Sequence, residues 1–373
     1  MILGMKLSGQ ILTPRGWHSG ELEFDTRILG IRSKLNAPNR FIVPGFIDVH
    51  VHGGGGGDTM DGLEGIKKLA AYHSQHGTTA LLATTITNPW KNVLSALKNI
   101  QKAINASNWT GSRILGAHLE GPFVSPHKLG AQPPFALDPT PARVKAVLES
   151  EVVKVVTLAP EIPHALEAAK LFLEAGVRVS LGHTVGTSDD ANQIFELASG
   201  LKRATQISGT HLYNAMGGLE GRKPGVLGAL LGNPNVYSEI ILDFQHVHPS
   251  SFRAAFFAKP EKLMLITDAM RASGMPDGQY DLGGQIATLE NGAVRLPDGT
   301  LAGSVLTMLG AVQNAVKAGL ALEVAVKLAS SHPAQYLGLT DYGKITKNTR
   351  ADLVVLREDL SLEAVYIDGK LQK

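Results

Sequence analysis

The chain has 373 residues, a formal net charge of +2, 44% hydrophobic and 18% charged residues, and no cysteine. That length supports a large core without staples, the near-neutral balance argues against nucleic acid or a membrane surface as partner, and the missing thiols exclude disulfides and thiolate-held metal. Met1-Ile2-Leu3-Gly4-Met5-Lys6 has no charged leader ahead of an apolar stretch, and no uncharged run approaches the ~20 residues of a membrane helix, so a soluble cytoplasmic protein is expected.

From about residue 5 to residue 40, short β-type runs alternate with turn residues and carry no helical period. Residues 351–356 and 363–370 read the same way. The two ends are expected to pair into a small discontinuous β domain, residues 1–43 with 338–373. Between them, over residues 44–337, eight short apolar runs recur at 46–51, 79–85, 114–119, 152–158, 177–181, 205–209, 237–242 and 263–267. The segments between them read as helices. In 89–106, Trp90, Val93, Leu94, Leu97, Ile100 and Ile104 share one stripe. Thr140-Pro141 reads as an N-cap followed by proline at the first helical position, and Gly176 and Gly200 as glycines just past helix ends. Eight such units fit an α/β fold, a (β/α)₈ TIM barrel, better than an open sheet. After the eighth run, 283–299 reads as an inserted β-hairpin and 304–318 as a resumed helix.

Active sites of such barrels sit at the C-terminal ends of the strands, and here those ends carry metal-ligand chemistry. The first strand ends in Asp48-Val49-His50-Val51-His52-Gly53, and alternate residues of a strand point the same way, so His50 and His52 can reach one ion. The third ends in His118-Leu119-Glu120-Gly121-Pro122, the fifth in Gly182-His183-Thr184, the sixth in Thr210-His211-Leu212 and the eighth in Thr267-Asp268-Ala269. A single histidine is more often structural than a ligand; it is the shared placement of four histidines and two carboxylates on one rim that points to a metal. His18, His73, His76, His127, His164 and His332 fall in loops or helical segments and are read as structural. Imidazole and carboxylate ligands with an open position favour Zn²⁺ or Fe²⁺, which lowers the pKa of its water toward ~7 and gives a hydroxide nucleophile. Asp268, alone on the last strand, is the candidate general acid/base.

These segments resemble the amidohydrolase superfamily, and within it the N-acetylglucosamine-6-phosphate deacetylases, over nearly the whole chain. Beyond the strand ends, the matching residues are Pro44-Gly45-Phe46-Ile47, Phe123, Tyr213-Asn214-Ala215-Met216, Leu265-Ile266, Met270, Gly274-Met275-Pro276-Asp277-Gly278 and Leu301-Ala302-Gly303-Ser304. The resemblance implies that Glu120, His183 and His211 hold the main ion and that Asp268 is the acid/base. Some members replace the strand-1 histidines by amides and keep one ion; His50 and His52 are both present here, so one or two ions per subunit are implied. Lys154 lies near the start of the fourth strand, where no carboxylated bridging lysine would reach the rim.

For substrate, the resemblance implies an amino-sugar phosphate, with Asn214, Ala215 and Arg222 in a phosphate loop over 214–225 and His246 after the seventh strand. It also implies a homodimer whose neighbouring subunit completes the phosphate site. Where the family commonly has lysine-glycine-alanine-histidine near the sugar, this chain has Leu129-Gly130-Ala131-Gln132, so Gln132 takes a substrate position without charge. N-acetylgalactosamine 6-phosphate therefore stands as the alternative substrate. Another amidohydrolase, deaminase- or dipeptidase-like, and a non-catalytic metal-stabilised barrel are the rivals; retention of Asp268 argues against the last. Gly53–Gly57 lacks the Gly-Lys-Ser/Thr of a Walker loop and reads as a flexible turn beside the metal.

Overall fold

The computed structural model describes residues 4–373, so residues 1–3 of the expected β domain lie outside the described residues. The chain opens with β1 (Met5–Thr13), β2 (Gly16–Phe24), β3 (Ile28–Ser33) and β4 (Phe41–Pro44), followed by β5 (Phe46–Val51), β6 (Gly53–Gly54) and β7 (Gly57–Asp58). Helices and strands then alternate: α1 (Leu63–Ser74), β8 (Thr78–Thr85), α2 (Trp90–Ile104), β9 (Arg113–Glu120), α3 (Pro141–Leu148), β10 (Val153–Leu158), α4 (Ala165–Glu174) and β11 (Arg178–Leu181). The alternation continues through α5 (Ser188–Gly200), β12 (Ile207–Gly209), α6 (Gly225–Gly232), β13 (Tyr237–Ile241), α7 (Pro249–Ala258) and β14 (Leu263–Ile266). A meander of β15 (Gly278–Leu282), β16 (Gln285–Glu290) and β17 (Ala293–Arg295) precedes α8 (Met308–Lys317), α9 (Leu322–Ala329) and α10 (Ser331–Leu337); β18 (Leu353–Leu356), β19 (Leu362–Ile367) and β20 (Lys370–Leu371) close the chain.

Eight parallel strands, in the order β5-β8-β9-β10-β11-β12-β13-β14, form a nearly closed TIM barrel. Their residues are mostly apolar or small and mostly buried, as parallel strands under a ring of helices must be: every residue of β8 and of β13 is buried. At the seam, side chains take over from a regular ladder. Asp48 accepts from Thr267 Oγ1 at 2.5 Å and Thr267 N at 3.3 Å, while Asp268 N donates to His50 O at 2.9 Å. Beneath the mouth the barrel interior is polar. His118 bonds Val49 O (2.9 Å) and Thr157 Oγ1 (2.8 Å), and Thr157 continues through Thr210 (3.0 Å) to Ser180 (2.6 Å). Both ring nitrogens of His118 are thus used inside the barrel.

Strands from both chain ends build one seven-stranded sheet, β20-β19-β18-β4-β1-β2-β3, in which β18 runs antiparallel to β4. Its own core includes Ile11, Leu22, Phe24, Ile42, Leu353 and Val355. Arg113, at the start of β9, ties this sheet to the barrel through Asp352 (3.2 Å) and Asp368.

Several local expectations are corrected. Thr140 precedes Pro141 as expected, but its side chain makes no cap hydrogen bond. Gly176 is left-handed past α4, whereas Gly200 is the last residue of α5 and the left-handed turn falls at Lys202 (φ 56°). The insertion after the eighth strand begins earlier than 283 and has three strands rather than two, because Gly278–Leu282 pairs with Gln285–Glu290. The following helix starts at Met308, capped by Thr307, rather than at 304. Gly53–Gly57 is an ordered hairpin: β6 pairs with β7, and Gly55 N and Gly56 N donate to Ser273 O (2.8 Å) and Arg271 O (3.0 Å). Among the described residues, no helix is long and apolar enough to cross a membrane.

Candidate metal centre and active site

The ends of β5, β9, β11, β12 and β14 bring His50, His52, Glu120, His183, His211 and Asp268 together at the barrel mouth. His183 (φ 47°), His211 (φ 30°) and Asp268 (φ 48°) all take left-handed backbone just past their strands. That conformation is costly for residues with a Cβ and persists where surrounding structure enforces it. Here the neighbours do so: Ser125 N donates to His183 O (2.9 Å), Asn214 N to His211 O (3.0 Å) and Ser304 N to Asp268 O (2.8 Å). Gly121 (φ 79°) follows Glu120 because Thr87 lies against it; a Cβ there would meet Thr87 Oγ1 at 1.9 Å.

Two sets of ligand atoms converge on Glu120. Its Oε1 lies 3.1 Å from His183 Nε2 and 3.0 Å from His211 Nε2, and those nitrogens are 3.2 Å apart. His50 Nε2 and His52 Nε2 are 3.3 Å apart, with His52 Nε2 3.1 Å from Glu120 Oε2 and His50 Nε2 3.4 Å from Oε1. Donor atoms bound at ~2.1 Å around a tetrahedral ion stand about 3.4 Å apart, so both sets fit a divalent metal. Two of the four outer ring nitrogens are fixed by partners, whereas His52 Nδ1 and His211 Nδ1 are buried without one. His50 Nδ1 donates to Glu239 at 2.9 Å and His183 Nδ1 to Lys128 O at 3.2 Å, which turns each Nε2 lone pair toward the mouth.

Charge supports the same fit. Burial alone would depress His50 and His52, but Glu120 and Asp268 outweigh it, raising His50 well above the usual histidine range and His52 to about 9. His211 is likewise raised against its burial, by Glu120. Burial alone would raise Glu120; the facing rings of His50, His183 and His211 hold it well below the usual carboxylate range. Asp268 follows suit, held to about 2 by His50 and His52 against the pull of burial. The centre therefore demands positive charge, which protons supply in the metal-free protein and a divalent ion would supply in their place.

Asp268 Oδ1 lies 3.2 Å from His52 Nε2 and 3.5 Å from His50 Nε2, at the wall of a cavity of about 190 Å³. Of the expected substrate residues, Gln132, Asn214, Ala215 and His246 line that cavity, together with Leu282 of the meander and Thr300, Leu301 and Gly303. His246 Nδ1 donates to Asp243 at 2.7 Å, so an ionised carboxylate fixes its ring. The Asn214 amide is turned back onto His211 O (3.2 Å) and Leu212 O (3.1 Å). Arg222 is exposed and is not among the lining residues. Of the histidines read as structural, His73 is wholly buried with Nε2 2.9 Å from Gly53 O, and His332 Nδ1 lies 2.8 Å from Leu263 O.

Sequence reading missed Glu239, Asp243 and the structural part played by Asp48. Glu239 carried a usable signal: it is a lone charge in the buried strand Tyr237–Ile241, where such a group needs a partner.

The amidohydrolase family profile matches residues 41–371. The N-acetylglucosamine-6-phosphate deacetylase of Lysinibacillus sphaericus is 37% identical over 91% of this chain and 87% of that protein. The N-acetylgalactosamine-6-phosphate deacetylase of Escherichia coli O157:H7 is also 37% identical, over 88% and 87%. Among solved structures, an aspartate-to-alanine variant of the N-acetyl-D-glucosamine-6-phosphate deacetylase from Mycobacterium smegmatis, in complex with N-acetyl-D-glucosamine-6-phosphate, superposes with a TM-score of 0.92 at 35% identity, covering 99% of both chains.

Proposed function

The chain belongs to the amidohydrolase family, and we propose that it hydrolyses the acetamide of N-acetylglucosamine 6-phosphate, giving acetate and glucosamine 6-phosphate in amino-sugar catabolism. The observation that carries this reading is the position of Asp268: a buried carboxylate 3.2 Å from His52 Nε2, beside two ligand sets that share Glu120, at the wall of a cavity that His246 also lines. Glu120, His183 and His211 would hold one divalent ion, Zn or Fe, and His50 and His52 with Glu120 a second. When bound, the ion supplies Lewis-acid activation of water and of the acyl group.

The chain's own groups account for the proton movements. Asp268, beside His52 at 3.2 Å and open to the cavity, accepts a proton from the attacking water and returns it to the amine nitrogen as the C–N bond breaks. His246, oriented by Asp243, presents its Nε2 to the acyl oxygen as negative charge develops there.

In this reading the exposed Arg222, outside the cavity of its own chain, reaches the phosphate of a neighbouring site in a homodimer, and the enzyme is cytoplasmic. The C4 epimer, N-acetylgalactosamine 6-phosphate, is the second reading, favoured by an identity to the Escherichia coli O157:H7 N-acetylgalactosamine-6-phosphate deacetylase equal to that of the glucosamine relative, 37% in each case. Incubating metal-replete enzyme with N-acetylglucosamine 6-phosphate tests the reaction type. Acetate and a free primary amine are expected in equal amounts without inorganic phosphate; phosphate release, or amine without acetate, would contradict it.

A further inference from the structure

Gln132 lies on the loop between β9 and α3 and is 6% exposed. Its amide nitrogen donates to Glu120 Oε2 at 2.6 Å, and its amide oxygen accepts from the Thr87 backbone N–H at 2.7 Å, just past the end of β8. The Thr87 donor fixes which end of the amide faces Glu120. We propose that Gln132 is a positioning residue for the metal centre, holding Glu120 Oε2 so that the carboxylate plane is set before any ion arrives. The inference rests on the metal-centre reading above and deepens it.

Glu120 has to serve two ligand sets with two oxygens. Oε1 faces His183 and His211, and Oε2 faces His52. The terminal torsion of a glutamate is soft, so the carboxylate plane needs an outside constraint if each oxygen is to stay in place. Gln132 is the side chain that bonds Oε2 without offering a metal ligand of its own, and it is anchored on its far side by a rigid strand end. Its loop is anchored too. Gln132 N donates to Leu129 O at 2.9 Å, and Gln285 of the meander donates to Ala131 O at 2.9 Å. A continuous hydrogen-bonded path therefore runs from the meander over the cavity, through the Ala131-Gln132 peptide, to the shared ligand. The length of the side chain matters: asparagine, one methylene shorter, cannot span from Thr87 N–H to Glu120 Oε2.

Zn²⁺ binding to the metal-stripped full-length protein, followed by competition with a chromophoric chelator in the absence of sugar, tests the proposal. Gln132→Met keeps the volume and removes both hydrogen bonds; Gln132→Asn keeps an amide and loses the span. Each is expected to weaken Zn²⁺ binding roughly 10–100-fold, the usual cost of losing a group that orients a ligand. In Zn²⁺-saturated enzyme, kcat is expected to fall more than KM rises. Zn²⁺ affinity within threefold of wild type in both variants, with KM raised and kcat kept, would overturn the proposal and make Gln132 a sugar contact. Because the binding arm contains no substrate, an error in the deacetylase reading would not register in it.

Discussion

On the metal-facing wall of the cavity, five barrel strands deliver six side chains, and three of these are held by a second group: His50 by Glu239, His183 by a carbonyl, Glu120 by Gln132. Elsewhere in its lining, Asn214, Ala215, His246, Thr300 and Leu301 come from loops, and the exposed Arg222 is not part of the lining. The first wall is complete in one chain. The second depends on loop geometry and, in the reading above, on a neighbouring subunit. Chemistry that must not move is built on strand ends; recognition that must adapt is built on loops.

This contrast makes the two walls separable by mutation. Asp268→Asn should have the largest effect, lowering kcat by about 10³-fold or more while metal content stays at the wild-type value. Turnover near normal would remove Asp268 from its role. Glu239→Gln comes next: with His50 Nδ1 no longer facing a carboxylate, metal affinity on the strand-1 side should fall roughly 10–100-fold, read by chelator competition. Unchanged stoichiometry and affinity would mean that His50 needs no orienting. Arg222→Ala should leave the metal wall untouched and raise KM for phosphorylated sugars by about 10-fold, as loss of a charge-assisted contact does, without affecting unphosphorylated ones. Equal effects on both substrate types would sever this residue from phosphate.

The smallest effect concerns stability and pH. His73 is buried under the Gly53–Gly57 hairpin, and burial lowers its ring from 6.5 to about 4. The unfolded chain therefore binds a proton between those values that the folded chain does not. Stability is full above the unfolded value and is lost as pH falls toward 4, by up to about 3 kcal/mol from this group. Urea midpoints of the metal-free protein between pH 7 and 4.5 should decline less steeply in His73→Gln than in wild type. Parallel declines would show that His73 is not the source.

The same contrast explains what could be read from the residues alone. The ligand wall was legible because barrel strands are short apolar runs and their ends are where polar residues must face the mouth; His50-Val51-His52 and Thr267-Asp268 announce themselves by position. Left-handed backbone at His183 and Asp268 was not legible, since the bonds that hold it come from Ser125 and Ser304, far away in the chain. Gln132 drew notice as a substrate residue, but its partners Glu120 and Thr87 are 12 and 45 positions away and only the fold brings them together. Gly200 misled because a glycine near a helix end was read as the terminator, while the helix runs through it to be turned at Lys202.

The most direct test of the account is acetate release by metal-replete enzyme, side by side, from N-acetylglucosamine 6-phosphate, N-acetylgalactosamine 6-phosphate and their unphosphorylated forms. The account predicts acetate from the phosphorylated sugars alone, with the glucosamine epimer faster. No acetate from any of the four, with metal demonstrably bound, would contradict it and leave a metal-binding barrel of another specificity.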